Sequence, residues 1–370
     1  MHQDEPGSVS APLARLIHTA IERHAGWLPF DRFMALALYA PGLGYYANTG
    51  RKFGSLPASG SDFVTAPELS PLFGRALARQ VAQALDATGS SDLIEFGAGS
   101  GALAAQLLDA LGARLARYRI VDLSGVLRER QRERLAAHAG RVEWLDAWPE
   151  SLEGVVIGNE VLDAMPVQLL HFDGQQWFER GVASTAGAIG WADRPTGLRP
   201  PVDTLFPAGA TIEIHPQAQA FVATLAERLT RGAAFFIDYG FPAAEYYHPQ
   251  RSGGTLMCHR AHRADTDPLA DVGLKDITAH VDFTGIALAG QDNGLDVIGY
   301  TTQAHFLINC GLLDLLDGAD LRSTANAQKL LTEHEMGELF KVIGFAKGAA
   351  GTDLADAPLG FVRGDRTHTL

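Results

Sequence analysis

Two short segments of this sequence carry residue types that do chemistry. The first, Glu95-Phe96-Gly97-Ala98-Gly99-Ser100-Gly101, lies where an apolar run (Leu93 to Phe96) meets a helical pattern from Ala102 to Leu111. Glycines suit a chain that turns sharply and lets a ligand approach backbone without Cβ atoms. Asp122 ends the next apolar run, 21 residues after Gly101. A carboxylate there can accept hydrogen bonds from both ribose hydroxyls of an adenosine. Gly97, Gly99 and Ala102 also satisfy the dinucleotide pattern G-x-G-x-x-A, so the loop alone leaves NAD and S-adenosylmethionine both open. Glu95 favours the second. A carboxylate before the turn can engage the amino group of a methionine moiety, whereas a pyrophosphate is poorly served by an anion at the loop's entrance. Asp146, just beyond the third strand, is placed to meet an adenine amino group. Leu123 and Ala147, the neighbours of Asp122 and Asp146, complete this side of the expected cofactor site.

The second segment is Gly158-Asn159-Glu160-Val161-Leu162-Asp163-Ala164-Met165-Pro166-Val167, directly after the fourth strand. Ligands of open α/β sheets bind beyond the carboxyl ends of the strands, so this segment faces the cofactor. Glu160 and Asp163 are three apart, and a helical turn beginning at Glu160 would project both carboxylates from one face. Two carboxylates beside a sulfonium suit a cationic acceptor such as a guanidinium, which pairs with carboxylates through two parallel hydrogen bonds. A carboxylate holding it would orient a nitrogen lone pair and take the proton. The competing reading has Glu160 capping a helix and Asp163 in a surface ion pair. Asn159 is placed to orient the loop or contact the cofactor.

The elements that must position these residues alternate. Strands at Leu93–Phe96, Arg119–Val121, Val142–Trp144 and Val155–Ile157, separated by helices at 102–111 and 126–139, mean a parallel sheet covered on both faces. Ala233 to Asp238 fits a fifth parallel strand. Before this core come helices over residues 11–38, a Gly/Ser/Pro-rich loop from Pro41 to Pro67, and a helix from about Ser70 to Ala87. After Pro166, Gln168–Phe172 and Gln176–Val182 around Asp173-Gly174 read as a β-hairpin. Strands near Ala188–Trp191 and at Thr211–Ile214 follow, then a helix over Ala218–Leu229. Residues 241–285 read as loop-rich, Thr301–Leu316 and Leu331–Phe340 as helical, and Leu359–Val362 as a final strand.

The 370 residues carry a net charge of −13, a poor balance for wrapping a phosphate backbone and a compatible one for a cationic substrate. Cys258 and Cys310 stand in unrelated contexts and fit free thiols in a reducing compartment. The first ten residues hold acids and no Lys or Arg, and no apolar stretch is long enough to span a bilayer, so a soluble cytoplasmic protein is expected. His259, His262, His280 and Asp282 match no zinc spacing, and no metal is expected. His280 and Asp282 are read as lining the acceptor pocket or holding a loop.

Together the glycine loop and the Asn-Glu-x-x-Asp-Ala-x-Pro-Val segment resemble one family of bacterial and mitochondrial proteins. It includes the mitochondrial protein-arginine methyltransferase that serves assembly of respiratory complex I. Gly44-Tyr45-Tyr46, Asp62 to Ser70 with Phe73-Gly74, Leu127 to Gln131, Phe236 to Gly240, Gly254-Thr255-Leu256, His262-Arg263, Asp267-Pro268 and Asp276 to Phe283 agree with it in order, from about residue 30 to 310. Ser61, an extension within Phe53–Gly60 and Arg75 depart from its pattern. The resemblance implies a class I methyltransferase fold and dimethylation of an arginine on a partner subunit. It also implies that Thr65, Pro67 and Ser70 touch the methionine end of the cofactor; the competing reading of Pro67-Glu68 is a plain helix start.

The expected fold is therefore α/β, a Rossmann-like methyltransferase core of mostly parallel strands. Residues 1–88 form an N-terminal helical region and cofactor-covering loop, and residues 89–240 the core, with a hairpin insertion at about 168–215. Residues 241–345 form substrate-side loops and helices, and 346–370 a C-terminal strand region. S-adenosylmethionine is the expected cofactor, and Glu160, Asp163, His280 and Asp282 are the expected catalytic residues. The expected partner is a protein presenting an arginine, with neither nucleic acid nor membrane insertion.

Overall fold

The computed structural model describes residues 7–48, 65–122, 124–260, 263–318 and 320–370. The chain divides into two compact units. Unit 1 comprises Met1–Phe63, Asp163–Ala218 and Phe241–Asp282; unit 2 comprises Val64–Leu162, Gln219–Gly240 and Phe283–Leu370.

Unit 2 is built on a twisted sheet of β1 (Asp92–Phe96), β2 (Arg117–Val121), β3 (Val142–Leu145), β4 (Leu152–Asn159), β5 (Leu229–Phe241), β6 (Asp296–Thr302) and β7 (Phe340–Lys347). Its main path runs β6-β7-β5-β4-β1-β2-β3. The strands from β5 through β3 are mutually parallel, while β7 is antiparallel to both β5 and β6. A dinucleotide-binding sheet has the order 3-2-1-4-5-6. The antiparallel β7 between β5 and β6 departs from it.

The central strands read as continuous apolar runs because helices cover both faces. Helix α1 (Pro71–Thr88) starts on Ser70, whose Oγ accepts the Leu72 N–H at 3.2 Å, and stops at Gly89, whose φ is 64°. A side-chain cap, a proline in the first turn and a left-handed glycine are what such a helix needs at its ends. With α2 (Ala102–Leu111) it buries Leu77, Val81, Leu103 and Leu107 against Val155, Ile157, Phe235 and Ile237. Each fully buried aliphatic or aromatic side chain contributes roughly 1.5–3 kcal/mol. The register pairs Phe96 with Val121 and with Gly158, and Asn159 with Ile237. The glycine loop, Asp122, Asn159 and Asp238 therefore share the carboxyl edge of this sheet.

Unit 1 carries the expected hairpin. Strands Gln168–Phe172 and Trp177–Thr185 pair antiparallel, and the Asp173 carboxylate accepts the Gln175 and Gln176 N–H groups at 2.7 and 2.8 Å to close the turn. Thr211–Ile214 and Ala188–Pro195 extend this sheet. Helices Gly7–Arg23 and Phe30–Tyr39 bury Leu13, Ile17, Phe33 and Leu38 with Leu169 and Val182.

Several expectations are corrected. Residues 241–285, read as loop-rich, also contain a small sheet of Met257–Arg260, Arg263–Asp265 and Asp276–Thr278, and Phe283 begins a helix ending at Asp292. Thr301–Leu316 is not one helix. Thr301 and Thr302 end β6, the Thr302 side chain caps Gln303–Asn309, and Gly311 at φ 74° breaks the chain before Leu312–Leu315. The helix expected over Leu331–Phe340 instead ends at Leu331, and Phe340 opens β7. Leu359–Phe361 is a single 3-10 turn, so the closing strand lies earlier than the expected one at Leu359–Val362.

Candidate active site

The glycine loop leaves β1 through three left-handed residues, Gly97 at φ 64°, Gly99 at 53° and Gly101 at 79°. Side chains strain that conformation, which explains glycine at each position. The Gly97 N–H donates to the Val121 carbonyl at 3.0 Å, tying the loop to the end of β2. A Cβ on Gly97 would stand 3.0 Å from Val161 Cγ2. The loop thus lies directly against the turn that follows β4.

Both acids of the first motif are buried. Glu95 accepts the Tyr118 hydroxyl at 2.6 Å, and burial pushes its carboxyl up to about 8. Asp122 accepts the Ser124 N–H at 2.9 Å and the Gln131 amide at 2.8 Å, and burial raises it as well. Gln131 also donates to the Gly99 carbonyl at 2.9 Å and accepts the Trp144 indole N–H at 2.9 Å. One buried side chain therefore joins the glycine loop, Asp122 and β3. Tyr118 and Gln131 were not among the expected site residues. Gln131 stood inside the family segment Leu127–Gln131, but nothing local marked its long-range partners.

Asp146 and Ala147 are exposed, and Asp146 pairs with Arg128. Arg128 also donates to the carbonyls of Asp122 and Leu145, at 2.8 and 2.7 Å from its Nη2. Thr65 precedes the helical turn Ala66–Leu69, Pro67 is buried with its carbonyl accepting the Gln106 amide at 2.8 Å, and Ser70 is the cap of α1. Glu68 pairs with Arg134 and accepts the Ser100 hydroxyl of the glycine loop. Leu123, His262 and the segment 49–64, which includes the departures at Ser61 and in the Phe53–Gly60 extension, lie outside the described residues.

The acidic motif does not form the expected helical turn at Glu160. Glu160 itself is left-handed, with φ 54°, and its N–H donates to the Ile237 carbonyl at 2.9 Å. Its carboxylate accepts the Asn159 amide at 3.0 Å, while the buried Asn159 Oδ1 has no protein partner. The following N–H groups of Val161 and Leu162 both donate to Asp238, at 3.1 and 2.9 Å. The left-handed backbone of Glu160 and the three N–H bonds to β5 hold the segment as a turn instead. Sequence reasoning placed Asp238 on a strand and gave it no role.

Asp163 belongs to unit 1 and is buried, not in a surface ion pair. Its carbonyl accepts the Ala279 N–H at 3.0 Å, and the Ala164 carbonyl accepts the Tyr39 hydroxyl at 2.8 Å. In the same unit His280 stacks on Phe241 with centroids 5.2 Å apart, and Asp282, buried, accepts the Tyr247 hydroxyl at 3.3 Å. The His280 N–H donates to Thr255 Oγ1 at 3.0 Å. Beneath it sits a network missed from sequence. Glu213 accepts the Thr255 and Leu256 N–H groups at 2.9 and 3.0 Å and the Tyr246 hydroxyl at 2.9 Å, and His215 Nε2 lies 3.0 Å from that hydroxyl. Burial raises Glu213 and lowers His215 to about 3. The signal was Gly254, where a Cβ would stand 2.3 Å from Glu213 Oε1. Among the described residues no cluster of His, Cys, Asp and Glu is arranged to hold a metal ion, and no helix is long and apolar enough to cross a membrane.

The sheet order with its antiparallel β7, the left-handed glycines and the buried acids on neighbouring strand ends define a Rossmann-like, S-adenosylmethionine-dependent methyltransferase core. The chain belongs to the family described as "Putative S-adenosyl-L-methionine-dependent methyltransferase", matched over residues 76–301. It is similar to a Burkholderia thailandensis protein crystallised with S-adenosylhomocysteine, with 52% identity, TM-score 0.94 and coverage of 100% of this chain and 99% of that one. A native structure of a protein from the same bacterium is 50% identical at TM-score 0.89, covering 100% and 99%. Among curated relatives, the mitochondrial protein arginine methyltransferase NDUFAF7 homologue of Caenorhabditis elegans is 26% identical, over 78% of this chain and 74% of that protein. The Drosophila melanogaster homologue is 29% identical, over 76% and 71%.

S-adenosylmethionine is the cofactor, and the residues present fit it. Backbone bare of Cβ atoms at 97, 99 and 101, two buried carboxylates and the unpartnered Asn159 Oδ1 suit a ligand with an amino group, a ribose and an adenine.

Proposed function

We propose that this methyltransferase methylates, and dimethylates, an arginine side chain on a protein partner, with Glu160 holding the guanidinium. The observation that carries the reading is the place of Glu160. It follows β4 on a turn whose next residue, Val161, lies against Gly97 of the cofactor loop. When bound, S-adenosylmethionine supplies an electrophilic methyl group on a sulfonium. Glu95 would engage its amino group and Asp122 its ribose hydroxyls, with Gly97, Gly99, Gly101 and Asn159 around it. The Glu160 carboxylate would orient the guanidinium through paired hydrogen bonds and accept the proton that the nitrogen gives up. Asp163, His280 and Asp282 are proposed as further catalytic residues. The relatives named as protein arginine methyltransferases support the choice of arginine, as does the net charge of −13. Following the family resemblance, a respiratory-complex subunit is the proposed partner class and the cytoplasm the proposed compartment, where Cys258 and Cys310, both buried and free, would stay reduced.

The test uses labelled methyl donor and protein extract from cells lacking this gene. The native chain should label arginine in at least one protein, while Glu160→Ala and Asp163→Ala lose that labelling and keep S-adenosylhomocysteine affinity by calorimetry. Label on another residue type would refute the arginine reading. No label at all would favour a non-catalytic assembly factor.

A further inference from the structure

We propose that Asp238 is a positioning residue for methyl transfer, clamping the turn that carries Glu160 so that this carboxylate is held in one place. The proposal rests on the reading of Glu160 given above. Asp238 is fully buried at the carboxyl end of β5. Its Oδ2 accepts the N–H groups of Val161 at 3.1 Å and Leu162 at 2.9 Å, and its Oδ1 accepts that of Tyr239 at 3.0 Å. One residue earlier, the Ile237 carbonyl accepts the Glu160 N–H at 2.9 Å. Three consecutive donors, from 160 to 162, thus converge on two consecutive residues of the neighbouring strand.

That arrangement explains the backbone of Glu160. A non-glycine residue at φ 54° is uncommon and persists only where its surroundings over-determine it. Besides the Tyr239 N–H, its carboxylate accepts two N–H groups from the turn after β4. The buried carboxylate is satisfied by those backbone dipoles, so charge and turn geometry are coupled.

The test compares Asp238→Asn, Glu160→Gln and the double variant in the full chain. Hydrogen exchange of residues 159–163, S-adenosylhomocysteine affinity and methyl incorporation into extract proteins are read on each. Asp238→Asn should speed exchange at 161 and 162 at least about tenfold, with strand 152–158 unchanged. Cofactor affinity should stay within about threefold. Transfer should fall roughly thirtyfold, yet adding Asp238→Asn to Glu160→Gln should lower it by less than about threefold more. A purely structural residue would multiply its loss in both backgrounds.

Intact transfer in Asp238→Asn, while Glu160→Gln is inactive, overturns this proposal alone. Full multiplication of the two losses, or unchanged exchange at 161 and 162, does the same. Full transfer by Glu160→Gln overturns the catalytic reading of Glu160 and, with it, the role assigned to Asp238. Should Asp238→Asn fail to fold, exchange in the native chain decides. Amides 161 and 162 should be as protected as those of β4, and exchange as fast as in the exposed turn at Ala186-Gly187 overturns the clamp.

Discussion

Tyr118, on β2, donates its hydroxyl to Glu95 on β1 across 2.6 Å in a site closed to solvent. The bond favours the carboxylate, and burial opposes it more strongly, leaving Glu95 at about 8. An acid raised above its unfolded value of 4.5 contributes stability that is fully present below that value and lost as pH rises through about 8. Glu95→Gln should therefore gain stability relative to the native chain between roughly pH 5 and 9, read by chemical denaturation. Parallel curves would sink the assignment. Tyr118→Phe should move the native transition to higher pH, because the bond that favours ionisation is gone.

The same pair sets a prediction for binding. A cationic amino group brought to Glu95 favours its charged form, so S-adenosylhomocysteine binding at pH 7 should release a proton. Calorimetry in two buffers of different ionisation enthalpy measures it. Identical heats, or proton uptake, would exclude Glu95 as the partner of that amino group.

Gly97→Ala places a side chain at φ 64° and 3.0 Å from Val161 Cγ2. Stability should fall by about 1–3 kcal/mol and cofactor affinity by at least about tenfold. Gly112→Ala is the matched control, with φ 54° and open space around its Cβ. It should lose stability and keep affinity; equal affinity losses would show that backbone strain alone is responsible.

Replacing Gln131 by Leu strands the Trp144 indole N–H and removes a donor from Asp122 and from the Gly99 carbonyl. A loss of roughly 1–3 kcal/mol is expected, together with a tenfold weaker hold on S-adenosylhomocysteine. Gln131→Glu should be worse on both counts, since it sets a second acid against Asp122. A neutral result for either variant would remove Gln131 from the site.

Glu213→Leu leaves the Thr255 and Leu256 N–H groups without their acceptor and takes one partner from the Tyr246 hydroxyl. Unit 1 should lose roughly 3 kcal/mol or more, and limited proteolysis should open the chain near residues 250–260. Glu213→Gln keeps an acceptor and should be milder. If both variants melt as the native chain does, Glu213 does not organise the loop beneath His280.

Much of unit 2 was legible because its signals are local. The run Leu93–Phe96, the glycines after it and Asp122 at the next strand end are recognisable without any distant partner. Val297, Ile298 and Thr301 had the β-branched character of a strand, but the helical residues Gln303–Asn309 that follow drew the boundary the wrong way. The acidic motif shows a deeper limit. Its helical spacing was real, yet Asp238, 77 residues from Val161, helps hold the segment in a non-helical turn. Tyr118 with Glu95 and Gln131 with Asp122 are likewise pairings made by sheet register and helix placement, which no short window of sequence contains.

The interleaving of the two units bears on how the chain is made. Unit 1 has its last residues at Asp282, whereas the sheet of unit 2 lacks β7 until Lys347. On the ribosome the glycine loop emerges among the first strands but cannot sit in a finished sheet until β7 has been made. A stop codon falling after Asn159 and before Phe340 would thus abolish methyl-donor binding even though every residue proposed to touch the donor had already been synthesised.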